Sequence, residues 1–194
     1  MQEVRDYYFK RAKEEHYLAR SVYKLMEIDR KFRLLQGGMR TLDIGCAPGS
    51  WSQFILQRIG KGQLVGMDLE DKVSIQDKRF TYVKADLLDP SVRTVLGPPQ
   101  FDLMVSDAAP KTTGNGFSDA QASLRLVRGV FTLAEELLKT GGSVVAKVFQ
   151  GEDVKGFVDG IRGKYTKVSL FKPKSSRKES RELFIIAQGR RKIG

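Results

Sequence analysis

An α/β fold built on a mostly parallel, seven-stranded sheet is what this 194-residue sequence predicts. Short apolar runs alternate with stretches of helical period along most of the chain. Acidic residues recur directly after those runs, where the carboxyl ends of parallel strands gather. Gly37-Gly38, Gly97-Pro98-Pro99 and Gly141-Gly142 punctuate single elements instead of separating domains. With 41% apolar residues, no repeat and no low-complexity tract, a single domain over residues 1–194 is expected.

The first element expected is a helix. Residues Asp6 to Asp29 have few breakers and a helical period, with Leu18, Val22 and Leu25 as an apolar stripe. Lys13, Tyr17, Arg20 and Lys24 follow one another at steps of four, three and four on a separate face. A basic helical segment over about residues 1–36 is therefore expected ahead of the sheet. Strands are read at Thr41–Gly45, Leu64–Leu69, Thr81–Ala85, Phe101–Ser106, Ser143–Phe149, Val168–Phe171 and Leu183–Ala187. Helices are read at Trp51–Ile59, Ser91–Leu96, Asp119–Leu138 and Asp153–Arg162. Only ten residues, Lys172 to Arg181, join the last two strands. That is too short for a helical crossover, so the final strand should run antiparallel.

The net charge of +11 is unevenly spread. Residues 1–40 carry +4, residues 41–140 carry −1, and residues 141–194 carry +8. Basic ends around a neutral centre suggest a polyanion gripped by the flanks, against the alternative of a solvated basic surface. A single cysteine, Cys46, excludes a disulfide within the chain, and a single histidine, His16, leaves no His/Cys zinc cluster, so no metal is expected. No run reaches the roughly 18 to 20 apolar residues of a membrane span. The first residues lack the basic-then-apolar pattern of a signal peptide. A soluble, cytoplasmic protein in a reducing compartment is expected.

The segment Leu42-Asp43-Ile44-Gly45-Cys46-Ala47-Pro48-Gly49-Ser50-Trp51 passes from a strand through a turn of small residues into a helix. Gly45 and Gly49 permit close approach of a ligand to the main chain. The Gly-x-Gly-x-x-Gly spacing of a dinucleotide site is missing, which disfavours a nicotinamide oxidoreductase. Asp43 would repel a pyrophosphate, so a cationic or zwitterionic nucleoside fits better. Asp68, ending the second strand, is placed to accept from ribose hydroxyls, or is a solvated turn acid. Asp86 suits an adenine amine or a helix cap equally. Trp51 is either core or a wall of the ligand pocket.

The run Asp43-Ile44-Gly45-Cys46-Ala47-Pro48-Gly49-Ser50-Trp51-Ser52-Gln53 is one of four motifs that carry a resemblance. The others are Ser106-Asp107-Ala108-Ala109-Pro110, Val145-Ala146-Lys147-Val148-Phe149-Gln150-Gly151 and Ser180-Arg181-Glu182-Leu183-Phe184. In this order they resemble the FtsJ/RrmJ family of S-adenosylmethionine-dependent RNA 2′-O-ribose methyltransferases, over about Tyr7 to Gly189. The resemblance implies a Rossmann-like class I methyltransferase fold with helices on both faces of the sheet. It also implies that Gly49, Trp51, Asp68, Asp86 and Asp107 line the S-adenosylmethionine site, beside Asp43 and Gly45 of the loop. Ser50 stands where bacterial members often have a second glycine. A catalytic tetrad of Lys24, Asp107, Lys147 and Glu182 follows by the same matching.

Residue chemistry supports those roles. Lys147 sits in an otherwise apolar strand, where a lysine is costly unless paired or functional. Burial and the charge of Lys24 disfavour its ammonium form, making Lys147 the candidate general base. Asp107 and Glu182 favour the ammonium, and their expected service is orientation of Lys147 and of the reacting hydroxyl. For RNA, Lys13, Tyr17, Arg20 and Lys24 of the first segment, with Lys172, Lys174, Arg177 and Lys178 before the last strand, are the candidate contacts. Phe117 and the loop Lys111–Gly116 are candidates for shaping the target-nucleotide pocket. The resemblance further implies a uridine of large-subunit ribosomal RNA as the substrate, in structured RNA or the ribosomal subunit, and a monomer is expected. A transfer-RNA anticodon loop is the alternative target. A noncatalytic ribosome-assembly factor is the alternative of another class.

Overall fold

A computed structural model describes residues 2–71, 73–98, 100–177 and 179–192, with the side chains of residues 2–6 left out of account. Helices α1 (Gln2–Glu14) and α2 (Val22–Phe32) precede the sheet. The chain then runs β1 (Arg40–Ile44), α3 (Ser50–Arg58), β2 (Gln63–Asp68), β3 (Phe80–Lys84), α4 (Val92–Leu96), β4 (Phe101–Ser106) and α5 (Gly116–Leu137). It ends with β5 (Leu138–Phe149), α6 (Asp153–Ile161), a short 3-10 turn, β6 (Tyr165–Phe171) and β7 (Glu182–Arg190).

Seven strands form one sheet in the order β3-β2-β1-β4-β5-β7-β6. The pairs among β1 to β5 are parallel, and β7 is antiparallel to both β5 and β6, as the ten-residue connection requires. The chain steps outward from β1 to β3 and then returns to the other side of β1 with β4, so the strand order reverses between β1 and β4. A crevice opens at the carboxyl ends of the strands at such a point.

Alternation along the strands divides the core. Leu42, Ile44, Met104, Val144 and Ala146 pack with α4, α5 and α6 on one face. Leu103, Val105, Val145, Phe184 and Ile186 pack with α2 and α3 on the other. α5 starts three residues before the expected Asp119, because the Asn115 side chain caps it by accepting from the Phe117 and Ser118 N–H groups.

The single helix expected over Asp6–Asp29 is two helices. Between them His16 has φ of 60°, and Gln53 of α3 takes over the backbone, accepting from the Leu18 N–H and donating to the His16 carbonyl. The Tyr17 hydroxyl donates to Gln57 of the same helix. These tertiary bonds replace the helical ones, so Lys13, Tyr17, Arg20 and Lys24 do not share a helix face.

Candidate active site

Four strand ends build a cleft. Gly45, after β1, has φ of 74°, and a Cβ there would lie 2.8 Å from Ala108 in the loop after β4. Any side chain would strain the backbone and force the two loops apart. Asp68, ending β2, ties the first loop down. One of its oxygens accepts from the Ala47 N–H at 2.8 Å and the other from the Glu70 N–H at 3.1 Å. Asp86, after β3, accepts from the Leu88 N–H at 2.9 Å, so it serves its own turn and faces the cleft together. Asp107 follows β4.

The open space between them is about 270 Å³ and is walled by Met67, Leu69, Leu87 and Leu126 as well as the three acids. Among the described residues no lysine or arginine lines it. Such a donor set suits a cation with hydroxyl and amine donors, and repels phosphate.

Three expected cofactor residues, Asp43, Gly49 and Trp51, are not in its lining. Asp43 is 1% exposed and accepts from the Ser52 hydroxyl at 2.7 Å. Burial, opposed by that bond and reinforced by Asp107 and Asp68, pushes its carboxyl up to about 7. Asp43 therefore underlies the loop instead of touching the cleft. The Trp51 ring does not wall the pocket. It is 2% exposed, lies 5.9 Å from the Phe184 ring and donates its indole N–H to the Ser21 carbonyl. Gly49, at φ of 117° ahead of α3, is buried, with Ile75 and Leu18 side-chain atoms 3.0 to 3.2 Å from where a Cβ would stand, so it too is outside the cleft lining.

The second part of the site is a charge cluster. In the β5–β7 register Lys147 opposes Phe184 and Phe149 opposes Glu182, so Lys147, Phe184 and Glu182 project from the same face of the sheet. α2 covers that face and delivers Lys24. Lys24 Nζ lies 2.7 Å from Glu182 Oε2 and 3.7 Å from Asp107 Oδ1. Lys147 Nζ lies 2.9 Å from the same Asp107 oxygen and also donates to the Asp107 carbonyl. Two cations and two anions, all largely withdrawn from solvent, thus offset one another. Burial would raise the Glu182 carboxyl, but Lys24, the Ser176 hydroxyl and Lys147 outweigh it and hold the group below its ordinary range.

Sequence reasoning missed two residues of this cluster. Ser176, 5% exposed, contributes to holding the Glu182 carboxyl down, and Glu27 of α2 accepts from the backbone N–H groups of Lys174 and Ser175 at 2.7 and 2.8 Å, holding the Ser176 loop in place. Nothing in the local sequence marks either.

The candidate RNA contacts divide. Lys13, Lys174 and Arg177 are exposed. Arg20 donates to the Ser175 carbonyl, Tyr17 to Gln57, and Lys172 to the Ser180 carbonyl, so these three fasten backbone and helix. Lys178 lies outside the described residues. Phe117 is 67% exposed at the start of α5. Burial raises the Cys46 thiol, which keeps it protonated and unreactive. Among the described residues no group of three His, Cys, Asp or Glu is placed to hold a metal, and no helix is long and apolar enough to cross a membrane.

A sheet in this order, with a carboxylate-rimmed cleft at its switch point and a Lys-Asp-Lys-Glu cluster beside it, defines a Rossmann-like methyltransferase. The family model described as FtsJ-like methyltransferase matches residues 17–190, and the chain belongs to that family. Ribosomal RNA large subunit methyltransferase E of Brachyspira hyodysenteriae is 43% identical over 194 residues, all of both chains. The protein of the same name from Nitratidesulfovibrio vulgaris is 42% identical, covering 100% of this chain and 98% of its own. Among solved structures, a ribosomal RNA methyltransferase from Plasmodium falciparum superposes with a TM-score of 0.78 at 27% identity, covering 90% of this chain and 98% of that one. Human methyltransferase-like protein 13, solved with SAH, shares the fold at a TM-score of 0.62 and 14% identity, over 86% and 79% of the two chains. The cofactor of the class is S-adenosylmethionine, a sulfonium cation with nucleoside and amino-acid ends. A cleft of three acids, with no lysine or arginine among the described residues of its lining, fits it.

Proposed function

We propose that the chain transfers a methyl group from S-adenosylmethionine to a ribose 2′-hydroxyl, that of a uridine in large-subunit ribosomal RNA. The observation that carries this reading is Asp107, which lines the cofactor cleft and also pairs with Lys147 at 2.9 Å. One carboxylate thus borders both the donor's space and the amine that would meet the acceptor.

When bound, S-adenosylmethionine supplies an electrophilic methyl on a sulfonium whose charge is discharged by transfer. Asp68 would accept from the ribose hydroxyls of its nucleoside and Asp86 from the adenine amine. The backbone of the small-residue loop after β1, which lines the cleft at Gly45 and Ala47, would border its amino-acid end. Once it has released its own proton to solvent, Lys147 as the free amine takes the proton of the RNA hydroxyl as the new C–O bond forms, while Asp107 and Glu182 hold Lys147 and Lys24 in place. Lys13, Lys174 and Arg177 meet phosphates, and Lys178, outside the described residues, is a further candidate. The chain works as one domain, a cytoplasmic monomer whose basic flanks are part of the active site.

Large ribosomal subunits, naked ribosomal RNA and transfer RNA supplied with methyl-labelled S-adenosylmethionine test the reading. Label on a 2′-oxygen of a uridine in large-subunit RNA is expected. Label on a base, on transfer RNA alone, or on no RNA would overturn it.

A further inference from the structure

A second space of about 270 Å³ opens between α1, α2 and the loop before β7, and its chemistry is the reverse of the cofactor cleft. Two phenol rings and three cations line it: Tyr8, Tyr23, Arg11, Arg30 and Lys174. The two rings lie 5.2 Å apart. Tyr23 is 3% exposed whereas Tyr8 is half-buried, so the ring left open to a ligand is that of Tyr8. Arg11 is fixed, 4.9 Å from the Tyr23 ring centroid and ion-paired to Glu15 at 2.7 Å. Arg30 and Lys174 are exposed, and among the described residues neither side chain has an ion-pair partner. The acid in the lining is Glu27, and both its oxygens are taken by the backbone N–H groups of Lys174 and Ser175. It therefore positions Lys174 at the rim.

We propose that this pocket receives a single-stranded nucleotide of the substrate RNA close to the methylated one, its base against Tyr8 and its phosphates on Arg30 and Lys174. The proposal rests on the reading of RNA as substrate. Aromatic faces accept any base, and cations track the backbone of an unpaired strand. The location supports the assignment. Arg30 follows Lys24 on α2 by six residues, about 9 Å along the helix axis. The pocket's other wall is the loop that carries Ser176 to Glu182. Both walls thus end in the tetrad, and a nucleotide seated between them fixes the register of the strand over Lys147.

The test compares wild type with Arg30→Ala/Lys174→Ala, Tyr8→Phe and Tyr8→Ala in the labelled ribosomal RNA assay. The double variant should raise KM for RNA tenfold or more. The slope of log affinity against log salt should shrink by about 1.4, about 0.7 for each single-strand phosphate that the variant no longer neutralises. Tyr8→Ala should raise KM several-fold and Tyr8→Phe should restore it. An unchanged KM and salt slope in the double variant, a loss of kcat at constant KM, or a Tyr8→Phe variant as poor as Tyr8→Ala would overturn the pocket. Should wild type methylate no RNA, the substrate reading fails separately. Fluorescence anisotropy with a labelled oligouridylate then still reads the pocket, and equal binding by wild type and double variant overturns it.

Discussion

The cofactor cleft and the surface built around α2 meet at Asp107 and have opposite chemistry. The cleft is made by the ends of β1 to β4 and presents Asp68, Asp86 and Asp107 without a lysine or arginine among the described residues. The α2 side is made by elements added before and after that half of the sheet, and presents Lys24, Lys147, Arg30 and Lys174. Under the proposed function, the difference would separate a site for a sulfonium cation from a surface for a polyanion, and the reacting atoms would meet where the two regions touch.

The largest way to break this division is at Lys147. Lys147→Ala should lower kcat by about 10³-fold, within the range for loss of a general base. The cofactor Kd, measured by calorimetry, should stay within twofold, because Lys147 lies outside the cleft lining. A variant with near-wild-type turnover would remove Lys147 from the mechanism.

Next in size is the response to pH, which should have opposite signs in the two regions. Asp43, beneath the cleft, holds its proton to about pH 7 when folded, whereas an unfolded aspartate loses it near 4. Between those values the folded state binds more protons, so this residue's contribution to stability falls as pH rises and levels off above 7. The decline is up to roughly 4 kcal/mol and should vanish in Asp43→Asn. Glu182, on the α2 side, is held below its ordinary value, so its contribution is present at neutral pH and is lost as pH falls through the folded value. Urea midpoints of wild type, Asp43→Asn and Glu182→Gln from pH 3 to pH 8 separate the two slopes.

A smaller effect is expected at Asp68. Asp68→Ala removes the acceptor of the Ala47 and Glu70 N–H groups and should weaken cofactor binding by about 10- to 100-fold, roughly 1.4 to 2.8 kcal/mol. RNA affinity and its salt dependence should not change. A loss of RNA binding in this variant would show that the regions are not separate.

Much of the division was legible in the sequence. The seven strands stand out as apolar runs, and the reversal of β7 follows from the length of its connection. Lys147 is conspicuous because its neighbours Ala146 and Val148 are buried apolar residues. The break between α1 and α2 was not legible, since Gln53 and Gln57 impose it across 35 residues or more. Trp51 was ambiguous because an aromatic ring at a helix start suits a core and a pocket equally, and only its bond to Ser21 and its packing on Phe184 decide. Glu27 and the Ser176 loop were invisible for a similar reason. A glutamate on a helix and serines in a basic loop look solvated until the chain brings them together across nearly 150 residues.

Asp107→Asn tests the central claim most directly, because Asp107 borders both regions. Calorimetry of cofactor binding and single-turnover methylation of large-subunit ribosomal RNA, made on the same preparation, should show both cofactor affinity and the methyl-transfer rate reduced by about tenfold or more. Loss of one with the other at its wild-type value would contradict the account.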